Sequence, residues 1–99
     1  MDVNLFVYGS LREGDVQRAV FGRAVAGTRD TLAGFALSSL PAGHLIVDQT
    51  GDAADRVRGL RLSISQAELA AADGYEIADY ARIVARLESG AEAFVYARA

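Results

Sequence analysis

Cysteine is absent from this 99-residue chain, and histidine occurs only once. Without cysteine the protein has no disulfide framework, no thiol nucleophile and no thiolate metal site. The fold must therefore be held by its apolar core, and a chain of this length buries about two thirds of the surface that its unfolded form exposes. These features predict a single domain, residues 1–99, in a reducing and hence cytoplasmic compartment.

Lysine is also absent, so all 10 basic side chains are arginines, and 13 acidic side chains leave a formal net charge of −3. A chain without a basic surplus lacks the usual means of binding a phosphate backbone, and we expect no nucleic-acid partner. Its apolar runs are all shorter than the ~20 residues that a membrane span needs. Asp2 and Asn4 interrupt the first run, which argues against a signal peptide. We expect no membrane association.

The histidine and the aspartates form no recognisable metal site. His44 begins a predicted strand and has no partner for a metal site or a catalytic triad, so we interpret it as structural. Asp48, Asp52 and Asp55 match the spacing of a calcium loop poorly and lack the required downstream glutamate, which favours a solvated loop.

The first stretch with a strong pattern is Val3 to Tyr8, which is apolar on both alternating faces. This pattern is typical of a central strand covered on both sides. The strand ends at Gly9-Ser10, where small side chains allow backbone N–H groups to face a small anion or a developing oxyanion. Taken alone, such a dipeptide is more often a simple turn.

Two short helices are predicted. Asp15 is expected to cap the first, which carries apolar residues at helical spacing and ends near Gly22. Ser65 and Glu68 form the Ser-x-x-Glu pattern of a capping box, which opens the second helix. That helix is expected to reach about Ala72 and to end at a glycine exit, Gly74.

The remaining segments alternate as strands do. Strands are expected within 32–37, at 44–47, 56–64 and 80–87, and at 92–98 after a hairpin turn at 89–91. A turn is expected at 41–43 and a solvated loop at 48–55. Gly59 is a candidate bulge, at which a strand switches faces. About six strands and two helices predict an α+β domain with a curled or barrel-like sheet.

Glu76 is the most unusual carboxylate of the sequence, because it comes directly after a predicted helix end. Its neighbours Tyr75 and Ile77 would desolvate it if the segment folds inward, and its pKa would then rise toward the range useful for proton transfer. Tyr80 and Arg82 lie on the next predicted strand. From spacing alone, an exposed loop glutamate remains the commoner arrangement.

The opening residues Leu5 to Gly14, with the sequence LFVYGSLREG, resemble the signature of the gamma-glutamylcyclotransferase-like proteins, including the AIG2-like and gamma-glutamylamine cyclotransferase groups. The resemblance continues in order along nearly the whole chain. Its further segments are 34–37, 40–42, 57–59, 72–76 with Tyr80 and Arg82, and 93–96.

This resemblance implies a small mixed β-barrel in which the Tyr-Gly-Ser-Leu loop and one glutamate share a cavity. It implies Glu76 as the catalytic acid/base, and it implies substrate contacts from Tyr8, Gly9, Ser10 and Leu11. Tyr80 and Arg82 would orient the glutamate or the substrate, although an aromatic and a charged side chain on the open face of a strand are at least as often structural. The family's reaction needs no cofactor and no metal.

In that reaction the α-amine of a γ-glutamyl amine or peptide attacks its own γ-carbonyl. A five-membered lactam closes, and the products are 5-oxoproline and the freed amine or amino acid. Because ring closure is intramolecular, the protein mainly has to hold the substrate folded and to move one proton.

Two other roles for these residues are conceivable. Ser10 as a hydrolytic nucleophile is disfavoured, because the loop lacks the second glycine of a Gly-x-Ser-x-Gly elbow. A non-catalytic module of the same fold that binds a small γ-glutamyl-like or carboxylated metabolite remains open. The leaving amine and the oligomeric state also remain open.

Overall fold

The computed structural model describes all 99 residues, which form seven strands and two α-helices. In chain order these are β1 (Val3–Val7), α1 (Gly14–Phe21), β2 (Thr28–Ala33), β3 (Phe35–Ser39), β4 (Leu45–Gln49), β5 (Arg56–Ile64), α2 (Gln66–Tyr75), β6 (Tyr80–Arg86) and β7 (Glu92–Arg98). A single 3₁₀ turn, Ser10–Arg12, lies between β1 and α1. The predicted α+β class is confirmed.

Strand β1 is the middle strand of a five-stranded sheet with the order β2-β5-β1-β7-β6, as its two-sided apolar pattern predicted. It pairs antiparallel to β5 and parallel to β7. Strands β3 and β4 form a separate hairpin. Because pairing in the large sheet ends at β2 and β6, the two sheets are not closed into a barrel, and the expected barrel is not confirmed.

Each face of the large sheet carries its own apolar core. Phe6 of β1 and Val95 of β7 pack with Val47 of the β3–β4 hairpin on one face. On the opposite face, Leu5 of β1 packs with Leu69 of α2. The alternating side chains of β1 thus enter two different cores, which explains why the strand has no polar face.

Helix α2 begins at the predicted capping box. The Ser65 hydroxyl accepts a hydrogen bond from the Glu68 N–H at 3.1 Å, and the Glu68 carboxylate accepts one from the Ser65 N–H at 2.9 Å. The expected exit at Gly74 is wrong, since the helix continues through Gly74 to Tyr75. Glu76 is the C-cap residue, and its N–H donates to the Ala72 carbonyl at 3.1 Å.

Helix α1 also differs from expectation at its start. Glu13 occupies the N-cap position, and Asp15 lies in the first turn rather than capping the helix. The carboxylate of Asp15 still lies near the positive end of the helix dipole. At the other end Gly22 adopts a left-handed conformation with φ of 81°, so the predicted end is confirmed.

The strand expected within 32–37 is wrong as one element, because Gly34 divides it. With φ of 83°, Gly34 adopts a conformation that other residues avoid, and the chain leaves β2 for the hairpin there. Strand β4 extends beyond the predicted 44–47, so Asp48 belongs to a strand instead of a loop. Its carboxylate accepts from the Arg98 Nε at 2.5 Å.

Strands β5 and β7 have the predicted bounds, but Gly59 forms no bulge. The register of β5 with β2 is continuous through Gly59, which pairs with Asp30, and the pairing of β5 with β1 ends at Leu60. A side chain at this position would collide with the Val7 carbonyl and would lie 2.7 Å from Phe6 Cζ. Glycine is therefore required by close packing of neighbouring strands. Neither helix is long and apolar enough to cross a membrane.

Candidate functional site

The loop after β1 offers backbone donors. Neither Tyr8 nor Gly9 donates its N–H to another group of the chain. The carbonyls of Gly9 and Ser10, by contrast, accept from the N–H groups of Arg12 and Glu13, at 3.1 and 3.0 Å. The loop is thus satisfied internally on its carbonyl side, whereas the N–H groups of Tyr8 and Gly9, just before the 3₁₀ turn, make no hydrogen bond within the chain.

This loop forms one wall of a cleft of about 340 Å³. The other walls come from the β3–β4 turn and from the segment at the end of α2. The cleft is lined by residues 6–13, 43–45 and 75–77, together with Tyr80 and Tyr96. Three segments that are distant in sequence therefore meet at the carboxyl end of the central strand.

Glu76 lines the same cleft as the loop, and burial is the cause of its perturbed acidity. The pKa of Glu76 is raised from 4.5 to about 7 because the half-buried carboxylate is desolvated. Its charge also contributes to the raised pKa of the Tyr8 and Tyr80 phenols, behind the larger effect of burial. A carboxylate of this kind is poised to take up and release a proton near neutral pH.

Two tyrosines hold the walls of the cleft together. The buried Tyr8 hydroxyl donates to the Tyr96 carbonyl at 2.5 Å. The Tyr80 hydroxyl donates to the Leu45 carbonyl at 2.5 Å, which joins β6 to the hairpin. Burial raises the pKa of both phenols, so both remain protonated donors at neutral pH.

A direct contact joins the loop to the end of α2. The Ser10 hydroxyl and the Tyr75 phenol lie 2.7 Å apart. Tyr75 immediately precedes Glu76, so this hydrogen bond connects the donor loop with the segment that carries the carboxylate.

Arg82 is not among the residues that line the cleft. Its guanidinium donates to the Asp73 carboxylate at 2.8 Å and lies 4.9 Å from the centre of the Phe94 ring. The other oxygen of Asp73 accepts from the Tyr96 hydroxyl at 2.7 Å. Arg82 therefore contacts Asp73 in the last turn of α2 and lies outside the cleft.

The structure brings together six of the seven residues singled out from the sequence. Glu76 shares the cleft with Tyr8, Gly9, Ser10, Leu11 and Tyr80, whereas Arg82 lies outside it. Sequence reasoning missed Tyr75, Leu45 and Tyr96 as lining residues and interpreted His44 as structural, although it lies exposed at the cleft. Tyr75 and Tyr96 carried a usable signal, since they belong to the matched segments 72–76 and 93–96.

The family model for gamma-glutamyl cyclotransferase, AIG2-like, matches residues 5–99. The chain therefore belongs to the AIG2-like gamma-glutamyl cyclotransferase family. No curated protein matches the sequence.

Solved structures of the same fold come from several sources. One is the solution structure of an Arabidopsis thaliana protein, with a TM-score of 0.81 and 24% identity over 99% of this chain and 62% of that protein. A uropathogenic E. coli-specific protein has a TM-score of 0.80 and 20% identity over 100% of this chain and 80% of that one. A gamma-glutamyl cyclotransferase has a TM-score of 0.78 and 17% identity over 100% and 68%. At these identities the likeness establishes the fold alone.

Proposed function

We propose that the protein is a cyclotransferase that converts a small γ-glutamyl amine or peptide to 5-oxoproline and releases the amine. One observation carries the proposal. Glu76, with a pKa raised to about 7, lines the same cleft as the Tyr8-Gly9-Ser10-Leu11 loop. Family membership supports the same reaction class, although this chain is shorter than several relatives of the same fold.

In the proposed mechanism, ionised Glu76 removes a proton from the α-ammonium group of the substrate. The free amine then attacks the γ-carbonyl carbon, and a tetrahedral oxyanion forms. Protonated Glu76 returns the proton to the leaving nitrogen, the C–N bond breaks, and the carbonyl of the lactam re-forms. The ring nitrogen loses its second proton, and the freed amine takes up a proton and leaves as an ammonium ion. A group with a pKa near the working pH serves well in both directions of this transfer.

In this proposal the loop holds the substrate and stabilises the oxyanion. The N–H groups of Tyr8 and Gly9, which are free of partners in the chain, are suited to the oxyanion or to the α-carboxylate. One well-aimed donor lowers such a barrier by about 3 kcal/mol. The cleft keeps the glutamyl chain folded, so that amine and carbonyl meet without loss of translational freedom.

The proposal is tested by screening γ-glutamyl dipeptides and γ-glutamyl alkylamines for release of 5-oxoproline by the purified protein. Turnover of at least one class supports a cyclotransferase. If calorimetry shows binding of these compounds but none is converted, the non-catalytic binding module replaces the enzyme. If none binds, the cleft serves a different ligand.

A further inference from the structure

A second concavity lies directly beside the cleft. It is an open groove of about 560 Å³ formed where β2 and β5 run past the loop, and Arg12 and Glu13 line both cavities. Val7, the last residue of β1, pairs with Leu60 of β5, which brings the groove alongside the beginning of the loop. The cleft and the groove thus share the wall formed by Arg12 and Glu13.

The groove carries a local positive charge on an otherwise acidic protein. Five of the 10 arginines are paired with carboxylates. Three arginines that take part in none of these pairs, Arg12, Arg29 and Arg58, line the groove. The acidic residues there are Glu13 and Asp30, and the Asp30 carboxylate is already engaged by Arg61 at 3.1 Å.

Strand register places two of these arginines on one face of the sheet. Arg29 is opposite Leu60 and Thr31 is opposite Arg58, so the two arginines are diagonal neighbours. Both are exposed on a sheet whose edge is strand β2. Like charges in this relation repel unless an anion lies between them.

Arg12 supplies a prepared third donor. Its Nε donates to the Gly9 carbonyl at 3.1 Å, which fixes the guanidinium against the loop. The two terminal nitrogens make no hydrogen bond within the chain and so keep the forked geometry that recognises a carboxylate.

We propose that this groove binds an anionic leaving group, so that the preferred substrates are γ-glutamyl amino acids or peptides with a free carboxylate, not γ-glutamyl alkylamines. The inference rests on the proposed cyclotransferase function. In this proposal the glutamyl part folds within the cleft, and the leaving amine extends past Arg12 into the groove. The groove beyond Arg12 is a neighbouring space with complementary charge.

The test compares γ-glutamylalanine with γ-glutamylalaninamide, which has nearly the same shape but no negative charge. The wild-type protein should use the carboxylate compound with a kcat/KM about tenfold higher, mainly through KM, since a charged hydrogen bond of this kind is worth that factor. The double variant Arg29→Ala, Arg58→Ala should lose this preference and should use the amide as well as the wild type does. Added salt should reduce the preference.

Arg86→Ala is the matched control, because Arg86 is an exposed arginine of β6 that lies in none of the ion pairs and lines neither cavity. It should keep the full preference. The proposed binding of an anionic leaving group in the groove is wrong if the wild type uses the two compounds equally. It is also wrong if the preference survives in the double variant.

Failure of the cyclotransferase is distinguished by calorimetry on the same proteins. If neither compound yields 5-oxoproline, the proposed reaction is wrong. The groove is still supported as an anion-binding site if the wild type binds the carboxylate compound more tightly than the amide and the double variant does not. Equal binding of both compounds by the wild type contradicts it.

Discussion

The Ser10 hydroxyl and the Tyr75 phenol lie 2.7 Å apart and join the loop after the central strand to the last residue of α2. Glu76 is the next residue and caps that helix. This hydrogen bond therefore connects Ser10 of the donor loop with the residue that directly precedes the Glu76 carboxylate. We expect this hydrogen bond to matter for turnover more than for folding, since Tyr75 is 41% exposed.

The first prediction concerns this contact. Tyr75→Phe should lower kcat/KM several-fold while the melting temperature changes little, and Ser10→Ala should lower it further by also removing a loop hydroxyl. In a double-mutant cycle the two changes should be coupled by about 1 kcal/mol, because each removes the same hydrogen bond. Strictly additive effects on kcat/KM would show that the contact does not position the site.

The second prediction concerns pH. The folded-state pKa of Glu76 lies above its ordinary value of 4.5, at about 7, so the unfolded chain loses this proton first as pH rises. The stability of the wild type should therefore fall between pH 4.5 and 7 relative to that of Glu76→Gln, which has no proton to lose. At pH 8 the variant should be more stable by about 1–2 kcal/mol, a value reduced for the partial exposure of the side chain.

Urea unfolding at about pH 4.5 and about pH 8, on either side of the shifted range, measures this difference. Glu92→Gln, which changes an exposed carboxylate on β7, is the control and should show no comparable pH-dependent gain. A Glu76→Gln gain that is the same at both pH values would mean that Glu76 is not desolvated in the fold.

The third prediction separates two glycines. Gly59→Ala should destabilise the protein by about 2–4 kcal/mol, because its methyl group collides with the Val7 carbonyl and the Phe6 ring. Gly74→Ala, within α2 and with nothing nearby for a methyl group to meet, should stabilise by about 0.5–1 kcal/mol. Thermal unfolding of the two variants measures both signs, and destabilisation by Gly74→Ala would contradict a helix that continues to Tyr75.

The fourth prediction concerns Arg82 as a positioning residue. Arg82→Ala removes the ion pair with Asp73 and should lower kcat several-fold with little change in KM, because Arg82 lies outside the cleft. Arg82→Lys should restore part of kcat, and Arg86→Ala on the same strand should have no effect. An effect confined to KM would instead indicate direct substrate contact.

Short sequence patterns correctly predicted the ends of those helices and strands that neighbouring residues determine. The capping box at Ser65 and Glu68 marked the start of α2, and strict alternation marked the bounds of β7. The predicted helix end at Gly74 was wrong, because a glycine near a helix end is compatible both with the residue after the helix and with its last turn. Tertiary packing of the next segment decides between the two. Gly34 was missed as a break because its left-handed φ becomes necessary only once the hairpin leaves the sheet.

The site was predictable where one motif carries it and unpredictable where tertiary packing assembles it. The loop 8–11 and Glu76 stand out in the sequence, whereas Leu45 and His44 reach the cleft only because the β3–β4 hairpin folds against the sheet. The separation of Arg82 from the cleft is likewise a matter of side-chain direction, since its guanidinium turns toward Asp73 and the Phe94 ring.

The fifth prediction concerns Glu76, which we expect to transfer the proton during ring closure. The measurement is the rate of 5-oxoproline release from the best γ-glutamyl substrate by the wild type and by Glu76→Gln near neutral pH, with folding of both checked by circular dichroism. We expect a loss of about 10²–10⁴-fold in kcat for the variant, with substrate binding retained. A variant that keeps full activity would contradict the assignment of Glu76 as the acid/base.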